Sequence, residues 1–226
     1  YRKELIYKGK RLVNWCPVSK SAISDEEVIH QEKNGKLWYL KYPLVGNEEY
    51  LVVATTRPET MLGDTAVAVN PKDERFKDYI GKKIKLPLTE REIPIISDEF
   101  VNVEFGTGCV KVTPAHDPND FEMGQRHNLK FINIMNDDAT LNENVPEKFR
   151  KISREEARKL VVAEMESLDL LDKIEDYTNN IGFSERGGVP IEYYLSDQWY
   201  LKMDDLAMPA EDVVKSKKIN FHPEHW

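Results

Sequence analysis

Short apolar, β-branched runs, broken every few residues by glycine, proline or asparagine, set the strongest limit on how this chain can fold. Arg11–Pro17, Glu27–His30, Lys36–Pro43, Tyr50–Thr56, Thr65–Val69, Lys82–Leu88, Glu92–Ile96, Cys109–Val112, Phe131–Met135 and Gln198–Met203 all read as strands. Asn34-Gly35, between the second and third of these, is the strongest hairpin signal. Pro94 places its strand at an edge or a bulge. Helices are the minority. Ser153-Arg154-Glu155-Glu156 is a capping box that opens one long helix, residues 153–168, with Ala157, Leu160, Val161, Met165 and Leu168 at helical spacing. Pro209–Lys217 reads as a short amphipathic helix, 72–81 as a helical turn carrying Phe76 and Tyr79, and Asp176–Ser196 as irregular. Strict βαβ alternation is missing, so a doubly wound sheet is not expected. The expectation is an α+β fold whose β-barrel core, or strongly curved sheet, carries its helices on the outside.

Composition narrows the function classes. The 226 residues are 40% hydrophobic and 32% charged, which describes a globular chain. No apolar run is long enough to span a bilayer and no signal-peptide pattern is present, so the cytoplasm is the default. A net charge of −8 argues against a chain that grips nucleic acid by itself. If nucleic acid is a partner, only its end enters here. Cys16 and Cys109 are too few for a paired-spacing zinc site or a disulfide framework. Residues 1–24 and 179–226 read as connectors on either side of a unit spanning 25–178, as expected of a monomeric fragment of a larger protein.

Two polar loops carry the candidate chemistry. Thr55-Thr56-Arg57-Pro58-Glu59-Thr60 gathers three hydroxyls and a guanidinium at the end of a buried strand. Hydroxyls suit a sugar, a carbonyl or a positioned water, and arginine suits a phosphate or carboxylate. The second loop follows the strand Cys109–Val112. Asp117 is a good N-cap, Pro118 suits the first helical position, and Asp120 falls in the first turn, where an acid favours the helix dipole. This strand-to-helix junction brings Lys111, Thr113, His116, Asp117 and Asp120 together. Each also has an ordinary structural role open to it: a solvent-facing lysine, a cap, a dipole partner, a core histidine. Phe105, just before Gly106-Thr107-Gly108, is either a stacking face for a base or core. No nucleophile triad, phosphate loop or metal motif is legible. The residues alone stop at a β-rich domain with a polar cleft that could act hydrolytically through a positioned water.

Taken together the loops are specific. Thr55 through Val69 and Gly106 through Phe121, with Trp15-Cys16-Pro17, Asn136–Thr140, Gln198-Trp199-Tyr200 and Lys202-Met203, resemble the editing (connective polypeptide 1) domain of class I aminoacyl-tRNA synthetases. Glu59-Thr60-Met61-Leu62-Gly63-Asp64 is the valyl form. The resemblance covers essentially the whole chain. It implies an aminoacyl-tRNA hydrolase that clears threonyl-tRNA(Val), needed because an apolar synthetic pocket cannot strongly reject an isostere that adds a hydroxyl, valyl-tRNA synthetase against threonine being the standard case. It also implies that Asp120 holds the α-ammonium and that Asp120, Asp117, Thr56 and Lys111 form the catalytic set. Thr55, Arg57, Thr60, Phe105, Thr113 and His116 bind substrate. The partners implied are the 3′ aminoacyl end of tRNA(Val) and the catalytic domain of the same polypeptide. ATP and magnesium serve the full-length enzyme, and no cofactor or metal is implied for this domain. The stretch Ile181–Gly187 lacks the cysteine pairs that some family members carry, so no zinc is expected there. A docking module for the tRNA end, inactive without the full enzyme, and isoleucyl-type editing of valyl-tRNA(Ile) are the alternatives.

Overall fold

The computed structural model describes residues 2–104 and 106–223. Its strands are β1 (Ile6–Cys16), β2 (Ser21–Ala22), β3 (Val28–Pro43), β4 (Tyr50–Thr55), β5 (Ala66–Val69), β6 (Lys83–Lys85), β7 (Glu92–Ser97), β8 (Cys109–Val112), β9 (Leu171–Ser184) and β10 (Glu192–Leu201). The α-helices are α1 (Pro118–Arg126), α2 (Arg154–Ser167) and α3 (Asp204–Lys215). The class is α+β. The strands pair as β10-β1-β2, β4-β3-β9 and β6-β7-β5-β8, and none of these sheets closes on itself, so the expected barrel is not seen in the pairing. All pairs with a described register are antiparallel except β5 with β7.

Leu12–Leu195 forms one compact unit and holds everything that follows below about the site; the segments on either side form another. In the larger unit, Leu40, Tyr42, Leu51 and Val53 of one sheet share a core with Val67, Val69, Ile84, Ile93 and Ile95 of another. Helix α2 covers this core with Ala157, Val161 and Met165, while Leu168, just past its end, is 53% exposed. Its capping box is formed: Ser153 Oγ accepts from the Glu156 N–H and the Glu156 carboxylate accepts from the Ser153 N–H. Strand β5 is buried at every position because Ala66 and Ala68 face a second cluster with Val112 and Met123. In the smaller unit Tyr7 stacks on Tyr200, with ring centroids 5.7 Å apart. Among the described residues no helix is long and apolar enough to cross a membrane.

Four expectations are corrected. Asn34-Gly35 is not a turn. β3 runs straight through it, with Asn34 opposite Thr178 and Gly35 opposite Tyr177. Neither residue adopts the positive φ that the hairpin turn needs, and the long ladder to β9 outweighs a two-residue signal. For the same reason Asp176–Ser196 is not irregular: most of it belongs to β9 and β10. Its strands lack apolar alternation because β9 is largely solvated. Pro94 lies in an interior strand, where its missing N–H is not needed: Ile95 donates to Lys82, and the β5 ladder begins only at Ile95. Phe131–Met135 is not a strand, since its backbone groups are taken locally, the Ile134 N–H by His116 Nε2 at 3.0 Å and the Ile134 carbonyl by Asn142. In addition, α3 starts at Asp204, ahead of Pro209, which lies inside it.

Candidate active site

Two strand ends build the cleft. At the end of β4 the chain turns into a 3-10 helix, Pro58–Gly63, all six residues of which are buried, so this stretch is a core element and not the polar loop its composition suggested. Met61 and Leu62 plug the main core and anchor the turn. The threonines fold the backbone around Arg57: Thr55 Oγ1 accepts the Arg57 N–H at 3.0 Å, and Thr60 Oγ1 donates to the Arg57 carbonyl at 2.9 Å. Among the described residues no partner takes the Thr56 hydroxyl, which lines the cleft.

At the end of β8 the chain enters α1. Asp117 caps it, Oδ1 accepting from the N–H groups of Asn119 and Asp120 at 2.9 and 3.1 Å. The helix packs close against the strand end. A methyl on Gly124 would sit 2.8 Å from the Pro114 ring, so glycine is required for that approach. The short distance lets Asp120 reach back, its Oδ2 accepting the Thr113 N–H at 2.8 Å. Asp120 is 7% exposed. Burial pushes its carboxyl up to about 7 against the pull of Lys111, with Asp117 adding to the rise.

Lys111 and Thr113 are held from beneath. Lys111 Nζ donates to Thr113 Oγ1 at 2.6 Å and lies 3.5 Å from the fully buried Asp64. Thr113 Oγ1 in turn donates to Asp64 Oδ1 at 2.6 Å, and Tyr42 donates to Asp64 Oδ2 at 2.7 Å. Burial raises the Asp64 carboxyl, and Lys111 and these two hydroxyls oppose it. His116 is a structural clamp. Its Nε2 accepts the Ile134 N–H, so the ring proton sits on Nδ1, which is buried without a partner. Burial, then Arg57 and Lys111, depress the ring to about 3. A neutral, occupied imidazole is poorly suited to act as a base.

The two loops meet in one cleft of about 280 Å³. Thr55, Thr56, Arg57, Thr60, Lys111, Thr113, His116, Asp117 and Asp120 all line it. Phe105 lies outside the described residues. Leu37, Tyr177 and Asn179, from the β3–β9 ribbon, form a wall that sequence reasoning missed because that ribbon was read as a hairpin and a loop. Glu59 and Glu192, which face Arg57 from behind, were missed as well. The cleft offers two carboxyl groups, an ammonium, a guanidinium and a free hydroxyl. Among the described residues no cysteine or serine lines it.

Comparisons with known proteins identify the family of the whole chain. A model of the class I tRNA synthetases (I, L, M and V) matches residues 1–226. The chain belongs to that family. It is 58% identical to a valine–tRNA ligase of Prochlorococcus marinus and 54% identical to those of Clostridium perfringens and Thermotoga maritima. Each match covers all of this chain and 25%, 26% and 26% of the respective relative. The chain thus spans about a quarter of the length of the relatives it matches.

Proposed function

We propose that the cleft hydrolyses the aminoacyl ester of mischarged tRNA, clearing threonyl-tRNA(Val) as the editing step of a valine–tRNA ligase. One observation carries the reading: two loops distant in sequence deliver nine candidate side chains to a single small, polar cavity. A threonyl group brings an α-ammonium, a hydroxyl and an ester. Asp120 supplies the carboxylate for the ammonium, since none of the described hydrogen bonds uses its Oδ1. Lys111 and Arg57 supply positive charge for the oxygens of the ester and the terminal nucleotide. Hydroxyl and carboxylate groups of Thr56 and Asp117 orient the attacking water. The step adds water across the ester carbonyl and expels the ribose oxygen, with no covalent enzyme intermediate. The tRNA acceptor end enters this cleft, and the remaining three quarters of the ligase holds the tRNA body and performs aminoacylation.

The test is deacylation of threonyl-tRNA(Val) and valyl-tRNA(Val) by this chain, beside its Asp120→Ala variant. Loss of threonine alone, abolished by the substitution, is the expected result. Hydrolysis that survives Asp120→Ala removes the assigned role of Asp120. A folded chain that hydrolyses neither ester favours a docking module that works only within the longer enzyme.

A further inference from the structure

Behind the cleft lies an ion network that joins elements far apart in sequence. Glu192, the first residue of β10, is 3% exposed. Its two carboxylate oxygens serve different arginines: Oε2 accepts from Arg57 Nη2, and Oε1 accepts from Arg154 Nη1, the first residue of α2. Arg154 is fixed further by donating to the Pro190 carbonyl at 3.1 Å. Glu59, fully buried, takes two parallel hydrogen bonds of 2.8 Å from Arg158 on the next turn of α2 and lies 3.5 Å from Arg57 Nε. The cleft arginine is therefore gripped on two edges by carboxylates that helix α2 holds in place.

The grip fixes a direction. Arg57 Nη1 donates to the His116 carbonyl at 3.3 Å and Nη2 to Glu192. A guanidinium carries two N–H groups on each terminal nitrogen, so each keeps one donor beyond these bonds. Three guanidinium groups meet three carboxylates, since Arg154 Nε also lies 2.8 Å from Glu155, so what the network leaves for a ligand is the spare donors of Arg57 and not a surplus of charge. Burial disfavours the charge on Arg57, but Glu192 and Glu59 outweigh it and hold the group protonated.

We propose that Glu192 is the positioning residue for Arg57: by bridging Arg154 and Arg57 it aims the remaining Arg57 donors at the oxygen that gains charge during hydrolysis. The inference rests on the hydrolytic reading above. Glu192→Gln keeps one acceptor but cannot pair with both arginines. Glu192→Asp keeps the charge, is shorter by one methylene, and reaches one guanidinium at a time.

The experiment combines single-turnover deacylation of threonyl-tRNA(Val) with side-chain ¹⁵N NMR of the arginines, the Arg57 signals being identified by their loss in Arg57→Lys. In the starting chain, hindered rotation gives separate Arg57 Nη signals; both Glu192 variants merge them. The rate constant for hydrolysis then falls about ten- to a hundredfold while KM changes little, because the donors are misaligned and not removed. In an Arg57→Lys background the same Glu192 substitutions cost less than about twofold, since they act through a fork that is no longer there. Unchanged Arg57 signals, an unchanged rate in both variants, or an equal loss in both backgrounds overturns the proposal. If the starting chain hydrolyses no ester, the functional reading fails, and the NMR arm still decides whether Glu192 holds Arg57.

Discussion

Replacing Asp120 with asparagine removes a charge but keeps the shape and the acceptor for the Thr113 N–H. Its effect on stability depends on pH in a calculable way. The carboxyl moves from its ordinary 3.8 to about 7 on folding, chiefly by burial. Between these values the folded chain binds the proton and the unfolded chain does not, so stability falls as pH rises through that window. Three pH units at 1.36 kcal/mol each set a ceiling of about 4 kcal/mol, of which about 3 kcal/mol is lost between about pH 5 and about pH 8.5. Asparagine does not titrate. Urea denaturation should therefore find the variant more stable than the starting chain by about 1.5 kcal/mol near pH 5, the gap widening by about 3 kcal/mol more by about pH 8.5. The variant should also lose deacylation, because an amide cannot offset an ammonium. A stability difference that does not change with pH, or a starting chain favoured at high pH, refutes the argument and places an ionised Asp120 in a tight pair with Lys111.

Three further outcomes follow from neighbouring contacts. His116, depressed from 6.5 to about 3, makes the fold lose stability as pH falls below about 6.5, since only the unfolded chain takes up the proton there; ¹⁵N NMR should show a neutral ring protonated at Nδ1 down to about pH 5, and a proton on Nε2 contradicts its bond to Ile134. Gly124→Ala forces α1 away from Pro114 and should cost about 1–3 kcal/mol in urea melts while weakening deacylation, whereas a neutral result means the junction is loose. Glu59→Gln strands Arg158 and weakens the hold on Arg57; with Arg158 a third exposed, the loss should be about 3 kcal/mol, and a change under about 0.5 kcal/mol shows that solvent screens the pair.

Local signals located the elements that local rules govern. The Ser153 capping box, the Asp117 cap with Pro118 behind it, and the runs of β4, β5 and β8 appear where the sequence places them, because each is decided within a few residues. The β3–β9 ribbon was illegible. Asn34-Gly35 reads as a turn until a partner some 140 residues away supplies hydrogen bonds along its whole length, and β9 itself carries no apolar period to announce that partner. The site divides in the same way. Residues within the two loops could be named in advance, while Leu37, Tyr177 and Asn179 depended on the ribbon, and Glu192 depended on the strand that follows it. A weak signal for the network existed in Arg154 and Arg158, four apart on one helix and so on one face.

The charges around Asp120 and Arg57 show how one small cavity can hold opposite groups without collapsing into internal ion pairs. Arg57 is held from behind by Glu59 and Glu192, and Lys111 is engaged by Thr113 and Asp64, so among the described contacts neither cation pairs directly with Asp120. Burial then keeps Asp120 proton-rich near neutral pH. On the editing reading an incoming α-ammonium takes the place of that proton: the carboxyl releases it to solvent as the ammonium docks, and the substrate supplies the countercharge. A ligand without the ammonium would meet a protonated, weakly attractive acid. Selectivity for an aminoacyl ester over other esters then follows from the burial of one carboxylate, and the arginines of α2 contribute to it by keeping Arg57 turned to its own partners.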